Sequence, residues 1–205
     1  MKIGLLGGSF DPPHNAHIAV ALGVLAARKL DRVDFLVSGQ SPHAHGKTNH
    51  ADLNHRLQMA RIAVEGQSGL GVEDCETRRS GRSYTVDTLC ELTQQHPDNR
   101  YTFIIGGDML TDLPNWKEPM EVLRLAEFVP VFRPGYTKEV FKMLASELGA
   151  EQAELLKRKA VELPLMDISS TMIRQAAAAG ESITQWVPPA VEAYIHANRL
   201  YRGTQ

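Results

Sequence analysis

The chain predicts an α/β fold: an open parallel sheet with helices on both faces and a small helical extension at the C-terminal end. Three observations predict it. Short apolar runs alternate along the chain with amphipathic helical segments. The runs are continuously apolar rather than alternating, as strands buried on both faces are. The chemically loaded segments, Gly7–His17, Gly106–Asp108 and Asp167–Arg174, each follow a predicted strand, and in doubly wound sheets ligands gather beyond the carboxyl ends of the strands.

The elements follow in order. Lys2–Gly7 is a short apolar run ending in Gly7–Gly8, and Asn15–Lys29 turns helical with Ile18, Leu22 and Leu25 on one face. Val33–Ser38 reads as a buried strand and Ser41–Asn49 as a polar, turn-rich loop. Leu53, Leu57, Ala60 and Val64 mark a second amphipathic helix, and Leu70–Asp74 a weaker strand. Thr85–Gln95 is a helix with Val86, Leu89 and Cys90 inward. Tyr101–Gly107 is the strongest strand of the chain, and Phe128–Phe132 is another. Lys138–Leu148 and Glu151–Lys159 are helical, and Val161–Leu165 is a last short strand. Ser169 or Ser170 caps a helix that Gly180 stops, and Pro188–Pro189 opens a terminal helix through Asn198. With right-handed crossovers, this order implies one domain over 1–205: a Rossmann-like core to residue 165 and a helical part over 166–205.

Length and composition set the bounds. The 205 residues suit a single domain, able to bury roughly 70% of the surface its unfolded form exposes without a disulfide or metal staple. With 43% hydrophobic and 22% charged residues the chain has an ordinary globular balance. A net charge of −2 without a long basic run argues against a nucleic-acid surface. Two cysteines, Cys75 and Cys90, indicate no disulfide framework and read as small hydrophobes in a reduced, cytoplasmic setting. The opening apolar run is too short for a signal-peptide core, and no stretch is long enough to span a membrane. His43, His45, His50 and His55 fit no zinc spacing, so no metal site is expected from protein ligands.

The string Gly7-Gly8-Ser9-Phe10-Asp11-Pro12-Pro13-His14-Asn15-Ala16-His17 carries the most chemistry. Two glycines let a strand end turn tightly and approach a ligand. Asp11–Pro12–Pro13 stiffens the turn. His14 and His17, three apart at a helix start, can address one spot over the helix N-terminus, where free amides and the dipole favour an anion. Ser169–Ser170–Thr171 open another helix, with Arg174 one turn further in on the side of Ser170, which makes a second phosphate site. Gly106–Gly107 leave room for a nucleotide sugar or base edge, and Asp108 either accepts from a ribose hydroxyl or caps the following short helix. Tyr84, Thr85 and Trp116 are candidates for a second substrate's pocket; core burial is the commoner fate of a tryptophan, but the Pro114–Lys117 setting of Trp116 reads as a loop.

These segments resemble the nucleotidyltransferase superfamily that carries the GGxFDPxHxGH signature, and more narrowly the bacterial-type nicotinate-nucleotide adenylyltransferases. Arg79–Leu89 is similar to that family's R-x-x-x-S-Y-T-x-x-T-L stretch, and Phe103–Trp116 to its F-I-I-G-x-D-x-L…W stretch. Arg133-Pro134-Gly135-Tyr136 matches its R-P-G-Y, and Ile168–Arg174 its I-S-S-T-x-I-R. Val191–Tyr201 resembles its closing helix. The resemblance runs through nearly the whole chain.

The resemblance implies transfer of AMP from ATP, with Mg²⁺, to nicotinate mononucleotide. ATP would lie against Gly7, Gly8, Ser9, Phe10, His17, Gly106, Asp108, Ser169, Ser170 and Arg174, with His14, His17 and Arg174 acting on the phosphates. The acceptor would meet Lys47, Tyr84, Thr85, Trp116 and Arg133, with Trp116 stacking on the pyridine ring. Other acceptors, nicotinamide mononucleotide or phosphopantetheine, and a non-catalytic nucleotide-binding regulator remain as alternatives, and a homo-oligomer is left open. Two positions depart from the family pattern. Ala16 stands where it has glycine, which implies weaker ATP binding or a small shift without loss of the fold, and Ala44 stands where it has a basic residue, with Lys47 the candidate replacement.

Overall fold

A computed structural model describes residues 1–40, 51–132, 139–164 and 166–202. Among them, six strands form one sheet: β1 (Lys2–Gly8), β2 (Arg32–Val37), β3 (Leu70–Glu73), β4 (Arg100–Gly106), β5 (Glu127–Phe132) and β6 (Val161–Glu162). Their order is β3-β2-β1-β4-β5-β6, and every neighbouring pair is parallel. The central strands are mostly apolar because both faces are covered. Successive residues of β4 show this: Phe103 and Ile105 enter one core, Ile104 the other.

The helices divide accordingly. α1 (Asn15–Arg28) and α2 (Leu53–Val64) cover one face, sending Ile18, Ala21, Val24 and Ala60 against Leu6, Phe35 and Val131. On the other face lie α3 (Thr85–Gln95), α4 (Gly107–Asp112), α5 (Pro119–Leu125), α6 (Glu139–Glu147) and α7 (Ala150–Lys159). There Leu89, Leu92, Val122 and Leu144 pack on Leu5, Phe103 and Phe128. A third apolar cluster joins α8 (Ser170–Ala178) and α9 (Pro189–Ala197) to α2, through Ile173, Val191, Ile195, Met59 and Ala63. The C-terminal helices therefore share a core with α2.

The strands and the longer helices fall within a few residues of their expected bounds. α5 escaped the sequence reading because seven residues opened by a proline show too little periodicity. The 3₁₀ turns Cys75–Arg78 and Leu113–Asn115 escaped it for the same reason. The last strand is shorter than expected: β6 holds two residues, paired with Val131 and Phe132. Leu165, Lys138 and the Ser41–Asn49 loop lie outside the described residues. Gly180 ends α8 at φ 76°, where its N–H and that of Glu181 return to the carbonyls of Ala177 and Ala176.

Two glycines mark where chain segments touch. A Cβ on Gly4 would meet Val33 Cγ2 at 2.8 Å and Leu30 Cδ1 at 2.9 Å, both ends of movable side chains. A Cβ on Gly39 would meet the backbone oxygen of Glu76 at 2.6 Å, which cannot swing aside. Gly39→Ala is therefore expected to destabilise by about 3 kcal/mol and Gly4→Ala by about 1 kcal/mol. Urea unfolding of the two variants checks the order; equal midpoints would contradict it.

Candidate active site

The sheet order places β1 and β4 side by side, with their crossovers leaving in opposite directions, so a crevice opens beyond their carboxyl ends. The segments after both strands line it. Gly7 and Gly8 end β1. A Cβ on Gly7 would stand 3.3 Å from the Phe103 ring, and one on Gly8 3.2 Å from the Phe10 ring, so both positions are tight. Phe10 turns the chain at φ 49°, a left-handed conformation that costs a phenylalanine about 1–3 kcal/mol. Burial offsets that cost: the ring is 1% exposed and stacks on Phe35 at 4.6 Å. The Phe10 side chain belongs to the core, and only its backbone is left to meet a nucleotide.

His14 caps α1. Its backbone N–H donates to His17 Nδ1 at 3.2 Å, and the two imidazoles stack with centroids 3.7 Å apart. Because Nδ1 of His17 accepts, the proton of the neutral ring sits on Nε2. The edge of the His17 ring packs on Phe10 at 5.0 Å. Burial lowers the pKa of His14 to about 4, and burial together with the neighbouring His14 holds His17 well below the ordinary histidine value. Both rings are therefore neutral near pH 7. His14 Nδ1 is buried with no hydrogen-bond partner among the described residues.

The Ser169–Arg174 segment docks on the same turn. Ser170 Oγ donates to the Pro12 carbonyl at 2.9 Å, and Arg174 Nη1 donates to the Asp11 carbonyl at 2.7 Å. Arg174 Nη2 also donates to Thr171 Oγ1, and Ser169 caps α8 by accepting from the Met172 N–H. The N-terminus of α8 thus stands beside that of α1, with the Arg174 guanidinium tethered between them. The Asn15 N–H completes the join by donating to the Trp186 carbonyl at 2.8 Å.

Two residues of this assembly were not picked out from the sequence. Arg56, 2% exposed, donates to the Ser9 carbonyl at 2.9 Å and the Ser38 carbonyl at 2.8 Å, tying the exits of β1 and β2 together. Its signal was position: it stands one turn before Ala60 on a helix whose other inward residues are apolar. Tyr201 donates its hydroxyl to Asp11 Oδ1 at 2.7 Å, and the Ala51 N–H reaches the same oxygen at 3.2 Å. No local pattern marks that contact.

Beyond β4, Gly106 caps α4 and has open space where a Cβ would stand. Since the cap is Gly106, Asp108 is not the N-cap. It lies exposed in the first helical turn, and its carboxylate makes no hydrogen bond or ion pair with a described residue. Tyr84 caps α3 and Thr85 begins it; both are half-buried. Lys117 Nζ stands 5.0 Å over the Tyr84 ring and pairs with Asp87 at 2.9 Å. Trp116 lies in the expected loop, between the 3₁₀ turn Leu113–Asn115 and α5, but its side chain is 6% exposed and packs edge-on against Phe103 and Phe128. The preceding 3₁₀ turn, Leu113–Asn115, returns it to the sheet. Lys47 and Arg133 lie outside the described residues. Among the described residues, no group of three or more His, Cys, Asp or Glu converges to hold a metal ion, and no helix is long and apolar enough to cross a membrane.

The fold is that of a doubly wound α/β nucleotide-binding protein, with its crevice at the β1/β4 switch point. Residues 5–176 match the cytidylyltransferase-like family model. A protein of Streptococcus pyogenes serotype M3 named "Probable nicotinate-nucleotide adenylyltransferase" is 41% identical over 201 residues, covering 98% of this chain and 89% of its own. One of the same name from Oceanobacillus iheyensis is 35% identical, covering 98% and 96%. Among solved structures, Plasmodium falciparum nicotinic acid mononucleotide adenylyltransferase complexed with NaAD superposes with a TM-score of 0.75 at 21% identity, covering 98% and 97%. The chain belongs to the cytidylyltransferase-like family of nucleotidyltransferases and, within it, to the nicotinate-nucleotide adenylyltransferases.

The depressed histidines carry a pH dependence. Between pH 6.5 and about 4 the unfolded chain binds a proton at His14 that the folded chain refuses. Stability is therefore full above pH 6.5, falls as pH drops through that window, and levels below it. The His14 contribution is about 3 kcal/mol. Urea unfolding at pH 7 and pH 4.5 should show a smaller loss for His14→Gln than for the wild type; an unchanged loss would place the proton uptake elsewhere.

Proposed function

We propose that the chain transfers AMP from ATP to nicotinate mononucleotide, giving nicotinate adenine dinucleotide and pyrophosphate in NAD biosynthesis. What carries this reading is the docking of α8 on the turn that holds His14 and His17, in a chain 41% identical to a relative of that name over nearly its full length. One spot is thereby addressed by two helix N-termini, a histidine pair and a guanidinium, which is what a triphosphate needs.

In this reading the adenosine lies across Gly7–Ser9 and Gly106, with Asp108 accepting from a ribose hydroxyl. The phosphates lie over His14, His17, Ser169, Ser170 and Arg174. The acceptor lies at Tyr84 and Thr85. Stacking of a pyridine ring on Trp116 would require the indole to turn out from Phe103 and Phe128, or the ring to meet its exposed edge. Mg²⁺ would enter on the triphosphate, whose oxygens and water supply most of its ligands, as suits that ion.

A phosphate oxygen of the acceptor is already ionised at neutral pH, so no protein nucleophile or general base is required. It attacks the α-phosphorus in line, and the bond to the β-phosphate bridging oxygen breaks. His17 Nε2–H, aimed outward because Nδ1 is occupied, donates to the charge that grows on the phosphates. Neutral rings suit an empty site, since two buried charges 3.7 Å apart would repel. Arrival of the triphosphate favours protonation.

Pyrophosphate release from Mg²⁺ and ATP, with nicotinate mononucleotide, nicotinamide mononucleotide, phosphopantetheine or no acceptor, tests the reading. Strong release with the first alone is expected; release only with another acceptor would overturn the assigned substrate. In the same assay His17→Ala should lower kcat by about 10²–10³ while remaining folded. Near wild-type turnover in the folded variant would remove His17 from the chemistry. Ala16→Gly should lower KM for ATP severalfold, on the order of one displaced contact; an unchanged KM would make the methyl irrelevant.

A further inference from the structure

A buried carboxylate that the proposed chemistry does not use stands behind the proposed acceptor site. Glu76 is 6% exposed, in the 3₁₀ turn after β3. Thr88 Oγ1 donates to its Oε1 at 2.8 Å, and the Gly39 N–H reaches its Oε2 at 3.4 Å. Burial pushes its pKa up, while the bonds from Thr88 and Gly39 and the Arg79 charge act against that push. An ionisable group is rarely retained in such a place for stability alone, because an apolar residue would fill it at less cost.

Its contacts connect three segments, the exit of β2, the 3₁₀ turn after β3 and the start of α3, beyond the β2–β3 pairing and the core they share. Gly39 follows β2, where the chain leaves the sheet toward residue 41. Thr88 lies in the first turn of α3, 3.3 Å from the Tyr84 carbonyl, and the Arg79 guanidinium donates to its hydroxyl. Arg79 also pairs with Glu91, further along α3, at 3.4 Å. The Ser83 N–H donates to the Gln40 carbonyl at 2.9 Å, which closes the joint next to Tyr84. Gly39 has no room for a side chain because the Glu76 backbone fills the space. The start of α3 is thus spaced from the β2 exit by the Ser83–Gln40 backbone bond and, beside it, by one carboxylate and one hydroxyl. None of these bonds reaches the His14–His17 turn or α8.

We infer that Glu76, acting through Thr88 and Gly39, is a positioning residue for the acceptor: it sets where Tyr84 and Thr85 stand relative to the exit of β2. The inference rests on the proposed activity and goes beyond it, since it assigns a group that touches no substrate. Glu76→Ala loses both bonds, leaves the Gly39 N–H unmet and leaves the Thr88 hydroxyl only the longer contact to the Tyr84 carbonyl as acceptor. Glu76→Gln keeps the shape and one acceptor oxygen, so it restores part of the function. Thr88→Val breaks the same joint from the helix side.

The test is steady-state pyrophosphate release with ATP and nicotinate mononucleotide varied in turn, alongside thermal unfolding of each variant. Glu76→Ala and Thr88→Val are expected to raise KM for the acceptor about tenfold, on the scale of one lost buried hydrogen bond to a charged group. KM for ATP should stay within about twofold. Glu76→Gln should fall between, and the double variant Glu76→Gln/Thr88→Val should do no worse than Thr88→Val alone, since both act on one joint. Equal changes in both KM values, or a fall in kcat that follows melting temperature with the acceptor KM unchanged, would make Glu76 merely structural and overturn the inference. A wild-type protein that releases no pyrophosphate with this acceptor would overturn the proposed activity, and the inference with it; an active wild type with an unshifted acceptor KM in Glu76→Ala would overturn the inference alone.

Discussion

The turn after β1 leaves the sheet inside the protein, and its carbonyl groups must still be satisfied. Ser9, Asp11 and Pro12 have no neighbouring strand to accept from, and Asp11 and Pro12 are buried. Each carbonyl is met by a side chain from elsewhere: Arg56 from α2, Arg174 and Ser170 from α8. An orphaned buried carbonyl costs about 1–3 kcal/mol, so the turn holds its shape only when those helices are in place. That requirement brings the C-terminal helices onto the N-terminal half of the sheet and so builds the crevice. The Asp11 carboxylate repeats the arrangement with the Ala51 N–H and the Tyr201 hydroxyl.

A site assembled in this way is organised before any ligand arrives. His14 and His17 stack, with the proton of His17 placed by the backbone N–H of His14. Arg174 is held by the turn it helps to shape. Donors fixed in advance need no reorganisation when charge develops on a phosphate, and this preorganisation is the main way a protein accelerates phosphoryl chemistry that needs no covalent intermediate. The strain at Phe10 belongs to the same design, because the left-handed residue aims the turn while its ring is locked against Phe35.

Much of this was legible in the residues. Continuous apolar runs such as Tyr101–Ile105 marked buried parallel strands, and periodic stripes such as Leu53–Val64 marked the longer helices. Both signals arise from side chains within one or two turns of each other. The glycine–histidine string and the Ser169–Arg174 helix start stood out because their spacing is itself the chemistry. Short elements did not show: α5 and the turn at Cys75–Arg78 span too few residues to display a period. The burial of Trp116 did not show either: its neighbours in sequence are loop residues, while its neighbours in space are Phe103 and Phe128.

The sequence by itself determined the α/β class, the order of the strands and longer helices along the chain, and the family, because each is written in local pattern and residue type. The tertiary structure decided how those segments meet. Arg174 and Asp11 are 163 positions apart, and Tyr201 and Asp11 are 190 apart. Glu76 acquires its partners only when β2, β3 and α3 come together. No periodicity spans such separations. These contacts exist because a buried polar group must find a partner, and only the folded chain shows which partner is within reach.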